Sequence, residues 1–458
     1  MKVYNSLTRT LEELKPLRPP EVSLYTCGPT VYDHVHIGNL RTYIFEDILR
    51  RTLKSSGYGV KHVMNITDID DKTISRSKQL YPDSSPNEAL KKLTSHYESI
   101  FLDDAKKIGI DFSDSRIVKA TDHIQDMQGL ICKIPNKYLT DDGVYFDLEK
   151  YPLYGELVNL DRSHTHHRIQ NDEYDKDHVA DFALWKAKKE DEPSWDFEIE
   201  GKNITGRPGW HIECSAMSTK YLGQPFDIHT GGIDLMFPHH ENEIAQSVSA
   251  NHEKLAKVFM HSEHLLVDGK KMSKSLDNFY TLDDVIKQGI DPMAFRLLVL
   301  QAHYRSQLNF TWESLEAVQT RLNGYRAMAD LQWQTIDSQP WLESSLNINI
   351  VTNLLQDDLN TPTALAFLSG LTAQTSDKFI SKTELAYFKK LLKELDAILG
   401  LNLSSSKDIL DEQKRLISQR EVARKNINWG EADKYRDGLS RQGIEINDTP
   451  HGPIWSRK

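Results

Sequence analysis

Cysteine is nearly missing: Cys27, Cys132 and Cys214 are the three in 458 residues. So few in so long a chain exclude a disulfide framework and point to a reducing compartment, the cytoplasm. No run approaches the roughly 18 apolar residues of a membrane span, so no membrane partner is expected. The opening MKVYNSLTRTLEELKPL lacks the apolar core of a secretory signal. No G-x-G-x-x-G occurs, which argues against an ordinary dinucleotide site, and no C-x-x-C offers a local zinc knuckle. Internal repeats and extended low-complexity tracts are lacking as well.

Net positive charge is also lacking. The formal charge of −11 is a warning against nucleic acid as a partner, because neutralising phosphates takes local Lys and Arg. The charge is uneven, however. Residues 401–458 carry 11 Lys/Arg and 9 Asp/Glu, a net of +2, which leaves −13 on the first 400. Small local patches could hold a structured RNA, and a mixed solvated surface is the equal alternative. The remaining composition, 39% hydrophobic and 27% charged, is that of a soluble protein, and the length implies roughly two to four domains.

Against these absences stands Thr26–Arg41, TCGPTVYDHVHIGNLR. A cysteine ends the alternating strand 22–27, a Gly-Pro break follows, and His34, His36, Gly38 and Asn39 lie where a helix begins. A helix N-terminus with a close-approach glycine favours phosphate. The helix runs from Asn39 to Gly57, and a strand at 61–66 completes a βαβ-like opening. The TDIDDKT turn then lies at the strand's carboxyl end, where open α/β sheets bind ligands. Alone this is a weak nucleotide signal. A second polar, cationic segment, VDGKKMSKSLDNF at 267–279, holds Lys271, Ser273, Lys274 and Ser275; by itself it reads as a solvated turn.

Between these segments the text gives a helix over 87–109, short pieces over 115–205, a helix in GRPGWHIECSAM, and a strand with a glycine turn in FDIHTGGIDL. Pro238 is expected in the first turn of the helix HHENEIAQSVSAN, and 257–267 is strand-like. From 282 the text is helical almost throughout, with helices at 348–357 and 383–399. Ser404–Ser406 reads as a linker to two more helices and a small hairpin, IEIND and PIWSRK.

HIGN followed more than two hundred residues later by KMSKS resembles the paired signatures of the class I aminoacyl-tRNA synthetases. TCGPTVYDHVHIGN, NITDIDDKT, GRPGWHIECSAMS and FPHHENEIAQS resemble the cysteinyl-tRNA synthetase family over nearly the whole chain. The resemblance implies an α/β fold with a Rossmann-like parallel sheet in two halves, 1–114 and 206–255, around a connective insertion, 115–205. A KMSKS-bearing linking region (256–312), an α-helical bundle (313–403) and a small C-terminal α+β domain for anticodon recognition (404–458) would follow. It implies a cytoplasmic monomer that uses L-cysteine, ATP with Mg²⁺, and cysteine tRNA, with one Zn²⁺ per chain.

The resemblance further implies roles for individual residues. Cys27, Cys214, His239 and Glu243 would hold zinc. Without it, the cysteines read as small buried residues and His239 as a helix-terminal polar group, although His239 and Glu243, four apart, do share a helix face. Zinc favours a thiolate over a hydroxyl, whereas shape alone separates near-isosteres by only ~10²-fold. Four protein ligands leave no open position unless Glu243 binds weakly or zinc becomes five-coordinate. His240 and Glu241 could orient ligands, and for Glu241 the plain reading is surface polarity. His34, His36, Gly38, Asn39, Gly231, Gly232, Asp234, Lys271 and Lys274 would bind ATP. Of these, His36, Asn39, Lys271 and Lys274 would be catalytic, with the two lysines closing over the phosphates. Gly28, Thr67 and Trp210 would line the amino-acid pocket.

Asn39 departs from the commonest class signature, which has His; Asn keeps a donor but carries no charge. Cys132, among apolar neighbours, reads as structural. The run Glu192–Thr205 is longer and more charged than the family leads one to expect, and no conformation is assigned to it. Trp429 and Trp455 read as packing of a small domain rather than as base-stacking groups. A small-molecule cysteine ligase of mycothiol-pathway type and an inactive tRNA-binding paralogue are the alternatives. Residues 401–458 speak against the first, and the intact motifs against the second.

Overall fold

EVSLYT alternates apolar and polar side chains and forms the first strand of the main sheet, β1 (Glu21–Thr26), with Val22 and Leu24 fully buried. In the computed structural model, which describes residues 1–160, 181–272, 278–337, 342, 349–375 and 378–457, this strand lies at the centre of a five-stranded sheet. Helix α1 (Ile37–Ser55) buries Ile37, Leu40, Ile44 and Ile48, a three-to-four spacing. His36 caps its start by accepting from the Asn39 amide at 3.1 Å. Past Gly57, at φ 89°, the chain turns into β2 (Gly59–Ile66), parallel to β1.

The TDIDDKT segment does more than turn. Asp70 accepts from the Thr73 amide at 2.6 Å while Thr73 Oγ1 accepts from the Asp70 amide at 2.7 Å. This reciprocal pair starts a helix the sequence reading lacks, α2 (Asp71–Leu80). Helix α3 (Pro86–Lys107) follows, with Pro in its first turn and a Ser85/Glu88 box. Strand β3 (Arg116–Lys119) then pairs with β2, so the parallel sheet takes one strand from the span expected for the insertion.

Next comes α4 (Ile124–Lys133) and an antiparallel sheet of β4 (Lys137–Thr140), β5 (Gly143–Phe146), β6 (Phe182–Ala187) and β7 (Gly206–Pro208), in the order β7-β6-β5-β4. Its inner face is aromatic: Phe146 stacks on Phe182 at 5.0 Å and Trp185 is fully buried. The Glu192–Thr205 run folds onto this sheet. Trp195 exchanges both backbone hydrogen bonds with Gly206 (2.7 and 2.9 Å), Glu198–Ile199 pairs with Lys202–Asn203, and Phe197 and Ile199 enter the core.

Helix α5 (Trp210–Leu222), strand β8 (Phe226–Gly232), helix α6 (Glu241–Asn251) and strand β9 (Ala256–Ser262) complete the parallel sheet in the order β9-β8-β1-β2-β3. A hairpin of β10 (Leu265–Val267) and β11 (Lys270–Lys271) turns at Asp268 and Gly269, both left-handed (φ 49° and 73°), as a two-residue hairpin demands. Strand β12 (Leu308–Phe310) joins it in a three-stranded sheet, β11-β10-β12. All of this up to Asn309 in β12 belongs to the first of two compact units, Met1–Asp284 with Tyr304–Asn309.

The second unit, Val285–His303 with Phe310–Lys458, is mainly helical: α7 (Pro292–Leu300), α8 (Trp312–Asp330), α9 (Asn349–Leu355), α10 (Thr361–Thr375) and α11 (Leu385–Leu399). The buried Arg296 donates to the Leu399 carbonyl at 2.8 Å, and Gly400 ends α11 in the left-handed region. Ser404–Ser406 is not a free linker, since Ser406 accepts from Gln332 (3.0 Å) and Trp333 (3.2 Å). Helices α12 (Asp411–Lys425) and α13 (Trp429–Arg441) and a hairpin, β13 (Ile444–Thr449) with β14 (Gly452–Arg457), close the chain. They have a small core of their own, formed by Ile409, Leu439, Ile444, Ile446 and Trp455. Trp455 is thus packing, as expected, whereas Trp429 is 56% exposed. Among the described residues no helix is long and apolar enough to cross a membrane.

Candidate active site

Strands β1 and β8 are neighbours, pairing Thr26 with Thr230, yet the strand order runs away from them in opposite directions. Such a reversal leaves a crevice at the carboxyl ends of the strands. The residues that follow are Cys27 and Gly28 on one side and Gly231 and Gly232 on the other. A methyl group on Gly28 would lie 1.8 Å from the Asn65 carbonyl oxygen, so only glycine lets β1 and β2 close here. A cleft of about 240 Å³ opens above, walled by Cys27, Gly28, His36, Trp210 and Asp234. A recess of about 180 Å³ shares His36, Asn39 and Asp234 with it and continues to Gly38 and Lys271.

The cleft rim is fastened at several points. The Ile37 amide donates to the Tyr280 carbonyl at 2.9 Å, and the His36 ring meets Phe279 edge-on at 5.1 Å. Thr42 Oγ1 and Ser262 Oγ lie 2.8 Å apart, joining α1 to the end of β9. A methyl on Gly232 would come within 2.4 Å of Asp234 Oδ1, so glycine leaves that carboxylate room at the cleft edge.

Beneath the cleft lies a buried cluster of polar groups. Cys27, Cys214, His239 and Glu243 are each at most 4% exposed, and one ligand atom from each lies within 4.8 Å of all the others. The two sulfurs are 3.9 Å apart, and His239 Nε2 is 3.0 Å from Glu243 Oε1. A second set, Cys27, His229, His240 and Glu243, meets the same limit. Glu243 Oε2 contacts His229 Nε2 at 2.9 Å, His239 Nδ1 lies 2.9 Å from His211, and His240 Nδ1 lies 2.8 Å from His261. His239 and His240 are therefore each held on the side away from Glu243 or from the sulfurs, as ligand histidines are, whereas His229 meets Glu243 directly.

Electrostatics divide these groups. Burial pushes Glu243 up, but His229 and His239 outweigh it and hold the carboxyl down to about 2. Burial lowers His239, and Glu243 and Cys214 reverse that and carry it up to about 10. Each of the two favours the charged form of the other. Burial also raises Cys214, yet its hydrogen bond with Cys27 and the charge on His239 bring it to about 6; Cys27 goes well above the ordinary range through burial and Cys214. Burial and the neighbouring histidines keep His240 well below the ordinary value.

The profile of the class I (C) tRNA synthetase catalytic domain matches residues 13–320, and a DALR domain profile matches 351–404. The cysteine–tRNA ligase of Brachyspira hyodysenteriae is 43% identical, over 99% of this chain and 99% of that one. That of Leptospira interrogans serovar Lai is 42% identical over 100% and 99%. The chain belongs to the cysteine–tRNA ligase family. Solved structures agree on the fold. Methionyl-tRNA synthetase of Mycobacterium tuberculosis, in complex with methionyl-adenylate, has a TM-score of 0.59 at 13% identity over 84% of this chain and 92% of that one. LeuRS of Agrobacterium radiobacter K84 gives 0.59 at 11% over 86% of each.

Within this family frame the sequence-derived residues separate into layers. Cys27, Gly28, His34, His36, Asn39, Trp210, Gly232 and Asp234 line the cleft, Gly38 and Lys271 the recess, and Cys214, His239 and Glu243 the floor. Thr67 is buried, exchanging backbone hydrogen bonds with Pro29 (3.0 Å) and Val31 (3.1 Å), so it braces the cleft wall. Gly231 is buried in β8, where a methyl would press on the His240 ring at 3.0 Å. Lys274, Ser273 and Ser275 lie outside the described residues.

Pro238 opens the helical run as expected: Phe237 before it is extended (φ −137°, ψ 133°), and the turn from Pro238 to His240 continues into α6 at Glu241. Two expectations are corrected. Glu241 is not surface polarity but fully buried, accepting from the amides of Gly155 (2.8 Å) and Leu157 (2.9 Å). Cys132 is exposed on α4 rather than packed in a core. His229, His211 and His261 were not foreseen, and neither was Lys72, which lines the cleft from α2; no local motif marks a histidine whose partner lies in another element.

Proposed function

We propose that the chain is a cysteine–tRNA ligase that activates L-cysteine with ATP and passes the acyl group to the terminal adenosine of cysteine tRNA. One observation carries this reading. Cys27 belongs at once to the cleft wall and to the buried thiol, imidazole and carboxylate cluster, so a small substrate in the cleft can reach that cluster. Two thiolates on a tetrahedral zinc at ~2.3 Å would stand roughly 3.8 Å apart, and 3.9 Å separates Cys27 Sγ from Cys214 Sγ. The donor set fits zinc, and Cys27, Cys214, His239 and Glu243, with their two thiols, suit it better than the single-thiol alternative. When bound, zinc would bind the substrate sulfur as a thiolate and so reject serine, whose hydroxyl is a far poorer ligand.

In activation, a carboxylate oxygen of cysteine attacks the α-phosphorus of ATP. The bond to the β-phosphate oxygen breaks, and pyrophosphate leaves with magnesium. The residues here supply position and charge rather than covalent chemistry. Gly38 at the N-terminus of α1, with the His36 and Asn39 side chains, faces the phosphates. Lys271, with Lys274, neutralises charge that grows on the leaving oxygens. Asp234 accepts from the ribose hydroxyls, and Gly231 and Gly232 give the adenosine close approach to the end of β8. Trp210, whose ring centre is 4.3 Å from that of His239, walls the amino-acid end with Gly28 and Thr67. A ribose hydroxyl of the tRNA's terminal adenosine then attacks the acyl carbon, and AMP departs. The small C-terminal domain reads the anticodon, and the protein works as a cytoplasmic monomer.

Transfer of labelled cysteine to a cysteine tRNA transcript, with ATP, magnesium and zinc-replete protein, tests this reading. Charging is expected. Cysteine-dependent pyrophosphate exchange without charging would point to another acceptor, and neither activity would overturn the enzyme reading.

A further inference from the structure

Arg41 lies two residues beyond Asn39 on α1 and is 2% exposed. Its guanidinium donates to backbone carbonyls: those of His264, of Tyr304 at 3.5 Å, and of Ser306. A buried cation held chiefly by carbonyls is costly unless its donors are well met, and the planar five-donor fork of arginine can span several acceptors where an ammonium cannot.

The acceptors are not arbitrary pieces of chain. His264 immediately precedes β10, and Tyr304 and Ser306 lead into β12. The His264 carbonyl also accepts from the Leu308 amide at 3.2 Å, and the Tyr304 carbonyl from the Glu263 amide at 2.8 Å. Tyr304 stacks on Phe45, one helical turn after Arg41, with ring centres 4.6 Å apart at 13°. Thus α1 grips the base of the three-stranded sheet whose outer strand carries Lys271. The far end of that strand rests on α1 as well, since a methyl on Gly38 would meet Met272 Cε at 2.5 Å.

We infer that Arg41 is a positioning residue for adenylate formation: by clamping the bases of β10 and β12 to α1, it fixes where Lys271 stands over the recess beside His36 and Asn39. The inference rests on the reading in which Lys271 acts on the phosphates of ATP. A phosphate-binding helix and a lysine-bearing hairpin separated by more than two hundred residues need a common frame, and Arg41 supplies it. The clamp acts on Lys271 and leaves the thiol cluster alone, so its loss acts on the phosphate step rather than on cysteine binding.

The test uses full-length, zinc-replete protein. Arg41→Gln, Arg41→Lys, Lys271→Ala and the two double variants are compared in cysteine-dependent ATP–pyrophosphate exchange, at a temperature where circular dichroism shows each to be folded. Arg41→Gln is expected to lower kcat by about 10²-fold, the effect of displacing a reacting group by about 1 Å, with the KM for cysteine unchanged within about 2-fold. In the Lys271→Ala background the same change should cost no more than about 2-fold, because the group it positions is already gone. If Arg41→Gln does not fold, Arg41→Lys, which keeps the charge but not the fork, carries the same cycle. Losses that multiply in the double variant, an unchanged kcat, or a KM for cysteine that rises as far as kcat falls would overturn the positioning role. Wild-type protein that exchanges no pyrophosphate would instead overturn the underlying reading of the site.

Discussion

Replacing Gly28 by alanine should damage the site far more than one methyl group suggests. The added carbon would lie 1.8 Å from the Asn65 carbonyl oxygen, against the 3.0 Å below which such contacts are essentially never seen, and 3.0 Å from Met64 Cγ. The obstacle is backbone in the neighbouring parallel strand, so no rotamer relieves it. The ends of β1 and β2 must part by about 1.2 Å, which would also strain the hydrogen bond from the Gly28 amide to Asn65 Oδ1, 3.1 Å long. Overpacking of this kind costs about 1–3 kcal/mol. Because Cys27 is the preceding residue, a shift of that size reaches the cluster and the cleft together, and a misplacement of about 1 Å is worth about 10²-fold in rate. Gly129, on α4 with no atom within 4 Å of its would-be methyl, is the control: there alanine should stabilise by up to ~1 kcal/mol. Urea unfolding and cysteine-dependent pyrophosphate exchange on the two variants give the comparison. Full activity and unaltered stability in Gly28→Ala would refute the steric argument.

Serine in place of Cys27 or Cys214 should abolish retained zinc, measured by elemental analysis after gel filtration; undiminished metal would remove that thiol from the ligand set. Burial, with Arg50 and Lys54 nearby, pushes His62 down to about 3, so the folded chain keeps it neutral while the unfolded chain protonates it below ~6.5. A depressed value means that its contribution is full above pH 6.5 and drains away as pH falls toward 3. Between pH 7 and 5 the loss should be roughly 2 kcal/mol; urea titrations of wild type and His62→Gln should differ in slope with pH, and identical slopes would refute the assignment. Glu241→Ala should orphan the amides of Gly155 and Leu157, at about 1–3 kcal/mol each, visible as lower stability and faster amide exchange there. Unaltered exchange would show that those amides had found other partners.

How far the fold was legible depended on which physical signal each segment carried. Strand alternation in VSLY and the apolar spacing of α1 are local, and local pattern reports them well; the Asp-Gly hairpin before Lys271 is as local, yet its segment was read only as a polar turn. Helix α2 was missed because its start is marked by Asp70 and Thr73 rather than by apolar periodicity. Cys132 was misjudged although the spacing of Met127, Leu130, Ile131 and Ile134, all buried, puts residue 132 on the outer face. Glu241 could not have been judged from its neighbours at all. In α6 nearly every side chain from Glu241 to Ser249 is buried whatever its polarity, and other elements meet several of the polar ones: Gly155 and Leu157 meet Glu241, His229 meets Glu243 and Ser215 meets Gln246. The same holds for the floor of the site, where the resemblance to a family, not the spacing of residues, brought Cys27 and Cys214 together. Neither source foretold His229.

The pairing of Thr26 with Thr230 bears on how the protein is made. The two strands that bound the crevice are separated by the whole antiparallel insertion, and Glu243 is translated 216 residues after Cys27. At about 5–20 residues per second, Cys27 leaves the ribosome roughly ten to forty seconds before Glu243 is even polymerised. For that interval the first βαβ segment has an unpaired strand edge where β8 will later lie, and its thiol has no companion. The longest-range pairing in the sheet therefore becomes available only late in synthesis, and non-local pairings of this kind are slow to form. The thiol, imidazole and carboxylate cluster can assemble only with the second half of the sheet, so a ribosome stalled within the insertion would display an edge strand and a thiol without its companions to whatever surrounds it.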